Sequence, residues 1–109
     1  SSQPNYIGSG RVSTEIAILG TQDTHQNNSF LEQKILLIPQ ADPGFDWIFG
    51  HNIAGLITKY GGGNSHMAIR ANEFGLPAAI GVGEAMYKLL SRSSVIELDV
   101  TNRKIEIIR

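Results

Sequence analysis

The chain has 109 residues, 41% of them hydrophobic, with no cysteine and a formal net charge of −1. That is the size of one domain with apolar content for its own core. It excludes disulfide and thiolate chemistry, and the absence of a basic run argues against nucleic acid as a partner. No apolar stretch reaches the length of a membrane span and no signal peptide is recognisable, so no membrane partner is expected and the chain is read as cytoplasmic. It opens on Ser1-Ser2-Gln3 without methionine, which we read as the start of a single domain, 1–109, excised from a longer protein.

After a flexible lead-in over 1–5, Tyr6 and Ile7 predict a short strand turned by Gly8-Ser9-Gly10. Residues 11–19 alternate in part and read as a second strand. The polar stretch 21–29 carries no periodicity and reads as a loop. His25 lies in it as a solvated residue, with no second histidine or cysteine at metal-ligand spacing. Ile35-Leu36-Leu37-Ile38 is a continuous apolar run of the kind found in strands buried on both faces. Asp42-Pro43-Gly44 makes a turn, with Asp42 a possible cap. Residues 45–52 predict a short helix that buries Trp47, Ile48 and Phe49 and ends at His51. A further strand over 54–58 leads into a glycine run.

That run opens the most informative stretch, GGGNSHMAIRANEFGLPAAIGVG over 61–83. Asn64 and Ser65 are both good N-caps, so His66 falls in the first turn of a helix that runs to Phe74. Gly75 is a natural C-cap before Leu76-Pro77. A helix start offers unpaired N–H groups and partial positive charge, which suit a phosphoryl group. An imidazole titrates near ~6.5 and so presents a nucleophilic, neutral nitrogen at neutral pH. The plainer alternative is a capping or surface histidine. Ala68 and Ala71 are small enough for close packing on a sheet, with apolar volume from Met67, Ile69 and Phe74. Arg70 lies one turn after His66, and a pair with Glu73 at three-residue spacing is its ordinary role. The strand 78–80 completes a strand–loop–helix–strand unit with His66 at a strand's C-terminal end, where α/β folds often bind ligands. Lys59 precedes the loop as a surface lysine. A second helix is expected over 84–90, with Ala85, Met86, Leu89 and Leu90 turned inward. Strands over 95–100 and 104–109 are expected to close as a hairpin.

The stretch resembles the phosphohistidine signature of the phosphoenolpyruvate-utilising enzymes, in their pyruvate phosphate dikinase and phosphoenolpyruvate synthase-like branch. Gly61, Gly62, Ser65, His66, Ala68, Ile69, Ala71, Glu73, Gly75, Pro77, Ala78 and Gly81 agree in order with its pattern. The likeness is specific over about 35–83. Two positions depart from it. Asn64 stands where the family has threonine, a regulatory phosphorylation site in plant-type dikinases, so that control is not expected. Asn72 stands where the family has an arginine that assists the phosphate, and Arg70 is expected to take over part of that charge.

The resemblance implies an α/β fold, the swivelling β/β/α phosphohistidine domain. It implies a phosphocarrier with His66 as covalent nucleophile, and a phosphate cradle made of Gly61, Gly62, Gly63, Asn64 and Ser65 with Arg70. The carrier would shuttle between a nucleotide-binding, ATP-grasp-like domain and an acceptor domain for pyruvate, phosphoenolpyruvate or another substrate. It would not be a complete enzyme alone. The chain has no P-loop pattern and no acidic cluster for a metal. No cofactor or metal is therefore expected in this domain, while Mg and ATP are implied for the complete enzyme. The alternative from another class is a non-catalytic docking or anion-binding module that keeps the fold. The missing arginine at Asn72 favours it; the intact Ser65-His66 and glycine run argue against it.

Overall fold

A computed structural model describes residues 3–21, 23 and 29–109. The loop expected over 21–29, including His25, lies mostly outside the described residues. The rest is a mixed α/β fold around one curled seven-stranded sheet. In chain order its strands are β1 (Asn5–Ile7), β2 (Arg11–Ile18), β3 (Ile35–Ile38), β4 (Gly55–Thr58), β5 (Ala78–Ile80), β6 (Val95–Asp99) and β7 (Lys104–Ile107), and in space β1-β5-β4-β3-β2-β6-β7. Helix α1 (His66–Phe74) joins β4 to β5, and α2 (Glu84–Ser91) joins β5 to β6.

The curl comes from β2. Its first five residues, Arg11 to Glu15, pair antiparallel with β6, and its last three, Ile16 to Ile18, pair parallel with β3. One long strand thus belongs to a parallel centre, β2-β3-β4-β5, and to an antiparallel wing, β2-β6-β7. Within the centre, β3, β4 and β5 are buried on both faces, as their unbroken apolar runs predict. Alternate side chains enter opposite layers. Leu36, Ile38, Leu56, Ala78 and Ile80 pack with Met67, Ala68 and Ala71 of α1. Ile35, Leu37, Ile57 and Ala79 pack with Leu90 of α2 and with Ile96 and Leu98 of β6. The β4–α1–β5 unit is present with β4 and β5 paired in parallel, Leu56 opposite Ala78. Ala68 and Ala71 are fully buried, so α1 lies close on the sheet.

Three packing expectations change. Residues Pro43–Gly50 form a 3-10 helix, and its buried residues are Phe45 and Ile48. At three residues per turn, positions three apart eclipse. Phe45 and Ile48 therefore share the inner face, and Trp47 and Phe49 are only half-buried. On α1, Met67 is buried, but Ile69 and Phe74 are more than half exposed, at 52% and 55%. On α2, Leu90 is buried and Tyr87 half-buried, while Ala85, Met86 and Leu89 face outward. The loop before α2 sets that phase. The amides of Gly81 and Val82 donate to the Thr58 carbonyl and that of Gly83 to the Lys59 carbonyl, at 2.9–3.1 Å.

Candidate functional site

The end of β4 and the exit of β5 are tied into one rigid base. Thr58 is fully buried, and its hydroxyl donates to the Tyr60 carbonyl at 2.8 Å and accepts from the Gly81 amide at 2.9 Å. Two glycines make that closeness possible. Gly61 has φ +130° and Gly81 φ +79°, both in the left-handed region that side chains avoid. A Cβ on Gly61 would overlap the Ala41 side chain, and one on Gly81 would overlap the Gly61 carbonyl oxygen.

From this base the chain turns into α1. Ser65 is the N-cap in extended conformation, and its Oγ accepts from the Ala68 amide at 3.4 Å. Gly75 closes the helix at φ +66°. The first-turn amides are partly committed. Ser65 N–H donates to the Gly62 carbonyl and Met67 N–H to the Ala41 carbonyl. Among the described residues, the amides of Gly62, Gly63, Asn64 and His66 donate to no protein acceptor. These are the donors the loop offers to an anion.

The His66 ring is one-third exposed, and its Nε2 lies 2.6 Å from Asp46 Oδ1. The same oxygen accepts from Arg70 Nε at 3.0 Å. Arg70 also donates through Nη1 to Glu73 Oε1 at 2.8 Å. Its guanidinium lies over the rings of Phe49 and Phe74, at 5.5 and 4.9 Å, and those rings stack 5.1 Å apart. Two periodicities assemble this group. Asp46 and Phe49 are three apart on the 3-10 helix and share its outer face. His66, Arg70, Glu73 and Phe74 follow three- and four-residue steps on α1 and form one stripe.

The electrostatics follow from these contacts. The hydrogen bond from His66 holds the Asp46 carboxyl below the ordinary aspartate range, with Arg70 adding to the effect and partial burial opposing it. Glu73 first, then Asp46, push Arg70 upward, so it is a permanent cation. Asp46 is thus an anion at neutral pH and can only accept. The proton in the 2.6 Å contact therefore sits on Nε2 of His66.

The structure brings His66 and Arg70 together, with Ser65 below them as the cap. Gly61 is spent on loop packing, and a Cβ on Gly63 would meet Asn5 Oδ1 at 3.2 Å. Asn64 and Asn72 are exposed. Asp42 is the cap expected of it: its carboxylate caps the 3-10 helix by accepting from Gly44 N–H at 3.0 Å. Asp46 is the acid that reaches His66, and sequence reasoning missed it along with the Phe49–Phe74 platform. Twenty residues and a different element separate Asp46 from His66, so no spacing rule joins them; the one cue was an acid at the start of a predicted helix. Lys59 pairs with Glu84 at 3.8 Å and lies against Tyr60 and Tyr87. His51 caps the 3-10 helix and lies 3.5 Å from Glu32. No described helix is long and apolar enough to cross a membrane.

Residues 30–103 match the family described as PEP-utilising enzyme, mobile domain. Among curated proteins, phosphoenolpyruvate synthase from Aquifex aeolicus is 36% identical over 67 residues, 62% of this chain and 8% of that protein. Rifampicin phosphotransferase from Bacillus cereus is 39% identical over 74 residues, 68% of this chain and 8% of that protein. The Bacillus subtilis rifampicin phosphotransferase is 40% identical over 73 residues, with 67% and 8% covered. The chain thus spans less than a tenth of these relatives. The fold is shared with a UPF0107 protein solved by solution NMR, at TM-score 0.64 and 13% identity over 99% of this chain and 98% of that one. It is shared also with aconitase X from Thermococcus kodakaraensis, at TM-score 0.59 and 12% identity over 98% and 97% of the two chains. At such identities the likeness concerns the fold alone.

Proposed function

Because the chain belongs to the PEP-utilising enzyme, mobile domain family, we propose that it is a swivelling phosphocarrier domain in which His66 carries a phosphoryl group. The single observation that carries this reading is His66 itself: a partly exposed imidazole on the first turn of α1, beside unengaged loop amides and an arginine. The ring lone pair attacks phosphorus of a phosphoanhydride or an enol phosphate. The P–N bond forms as the donor's P–O bond breaks, and the departing oxyanion keeps the bonding pair. Transfer to the acceptor runs the same step in reverse on a new oxygen. The chain's own contribution is position and charge. The loop amides of Gly62, Gly63 and Asn64, which donate to no protein acceptor among the described residues, would serve the anion, and Arg70 lies within one hydrogen bond of the ring's partner.

The donor would be a nucleotide-binding, ATP-grasp-like domain of the parent protein, and the acceptor a domain binding pyruvate, phosphoenolpyruvate or another substrate. The relatives, more than ten times the length of the shared stretch, support other domains of some kind. Mg and ATP would belong to the donor domain. Among the described residues there is no cluster of three or more His, Cys, Asp or Glu side chains that could hold a metal ion. The test is labelling of the chain with phosphoramidate, followed by fragment mass spectrometry under conditions that spare acid-labile phosphate. His66 is expected to take the label, ahead of His25 and His51. Equal labelling of all three, or none on His66, would refute the carrier and favour a docking or anion-binding module.

A further inference from the structure

Two N–H donors converge on one oxygen of Asp46: Nε2 of His66 at 2.6 Å and Nε of Arg70 at 3.0 Å. A phosphoryl group on Nε2 needs that same space. It would place an anionic oxygen beside the ring nitrogen and within reach of Arg70. Nε2 is the ring nitrogen remote from the backbone, and it shares Asp46 Oδ1 with Arg70. We propose that Asp46 is a stand-in for the phosphoryl group. In the unloaded domain its carboxylate holds the phosphoryl position, fixes the ring and keeps Arg70 in place. On loading it is expelled, and Arg70 exchanges Asp46 for the phosphoryl oxygens. This inference rests on the carrier reading and adds to it the fate of Asp46 and Arg70 on loading.

The exchange has a defined order. While Asp46 is bound, Nε2 carries the proton and cannot attack. Loading starts when the contact opens and the ring takes its proton on Nδ1 instead, through water. The Nε2 lone pair then attacks phosphorus. With phosphoramidate as donor, its P–N bond breaks, ammonia leaves with the bonding pair, and the new P–N bond joins phosphorus to Nε2. The phosphoryl dianion and the Asp46 carboxylate now repel each other. Arg70 keeps its bond to Glu73 and its seat on Phe49 and Phe74, which hold the guanidinium in place during the exchange. Asp46 lies on the short 3-10 helix and is 42% exposed, so its side chain has solvent to turn into.

The experiment loads the chain with phosphoramidate and follows it by phosphorus NMR and by nitrogen–proton correlation of the arginine Nε–H groups. In the unaltered protein, the phosphorus signal is expected from the Nε2 isomer, and the Arg70 Nε–H resonance is expected to move on loading. Asp46→Asn removes the repelling charge while keeping the shape, and Asp46→Glu restores the charge. Two unit charges about 4 Å apart in a largely aqueous setting, the separation before the carboxylate turns away, predict a phosphohistidine lifetime up to about fivefold longer in Asp46→Asn, with Asp46→Glu near the unaltered protein. An Nδ1 isomer, an Arg70 resonance that stays put, or an unchanged or shorter lifetime in Asp46→Asn would each overturn the stand-in while leaving the carrier intact. Failure of His66 to take any label would bring down both. The two measurements on the unaltered protein need no variant to fold.

Discussion

Gly81→Ala tests the link between loop packing and the site. The residue has φ +79°, and a Cβ there would come well inside 3.0 Å of the Gly61 carbonyl oxygen. Left-handed backbone costs an alanine about 1–2 kcal/mol. Relieving the clash needs backbone movement, because the obstacle is a main-chain oxygen and not a flexible side chain; that adds about 1–3 kcal/mol. The sum, roughly 2–5 kcal/mol, is a large share of a domain stability of about 5–15 kcal/mol. Gly62→Ala is the internal comparison: its φ is not positive and nothing lies within 4 Å of its added Cβ. It should change stability by no more than about 0.5 kcal/mol. The assay is urea unfolding followed by the fluorescence of Trp47. At a mid-range slope of about 2 kcal/mol per molar for a small protein, Gly81→Ala should lower the midpoint by roughly 1–2.5 M. If it cost no more than Gly62→Ala, the claim that Gly81 and Gly61 must both lack side chains would fail. Gly81→Ala should also slow phosphoramidate labelling of His66, since displacing Gly61 displaces the loop that leads to it.

Two further outcomes are expected. Ser65→Ala removes the acceptor for the Ala68 amide. It should cost about 1 kcal/mol by the same unfolding assay, and Ser65→Asp, which restores an acceptor, should recover most of it. Asp99 is buried, and its carboxylate accepts from the side chain and the amide of Asn102 at 2.9 and 3.0 Å, which lowers its pKa from the ordinary 3.8. A depressed carboxyl pKa adds stability that is present above the unfolded value and is lost as pH falls through the folded one. The unfolding midpoint should therefore drop as pH falls below 3.8, and Asp99→Asn should flatten that part of the profile. An unchanged slope in the variant would exclude Asp99 as its source.

The sequence by itself determined the strand order along the chain, both α-helices and the place of His66. Each rests on a local cause. Ile35-Leu36-Leu37-Ile38 has too little polar content for an exposed strand, Ser65 and Gly75 bracket α1 by their capping chemistry, and the four-residue step from His66 to Arg70 is a property of any helix. The outward turn of Met86 and Leu89 was not legible, because the phase of α2 is set by the amides of Gly81, Val82 and Gly83 bonding back to the end of β4. Nor was the carboxylate at His66. Its arrival depends on a 3-10 twist over Pro43–Gly50 that puts Phe45 and Ile48 into the core and so turns Asp46 and Phe49 toward α1. Helix pitch at a given stretch is decided by what it packs against, and the tertiary structure chose three residues per turn. Local chemistry placed the histidine; only the packing of two distant segments chose its partner.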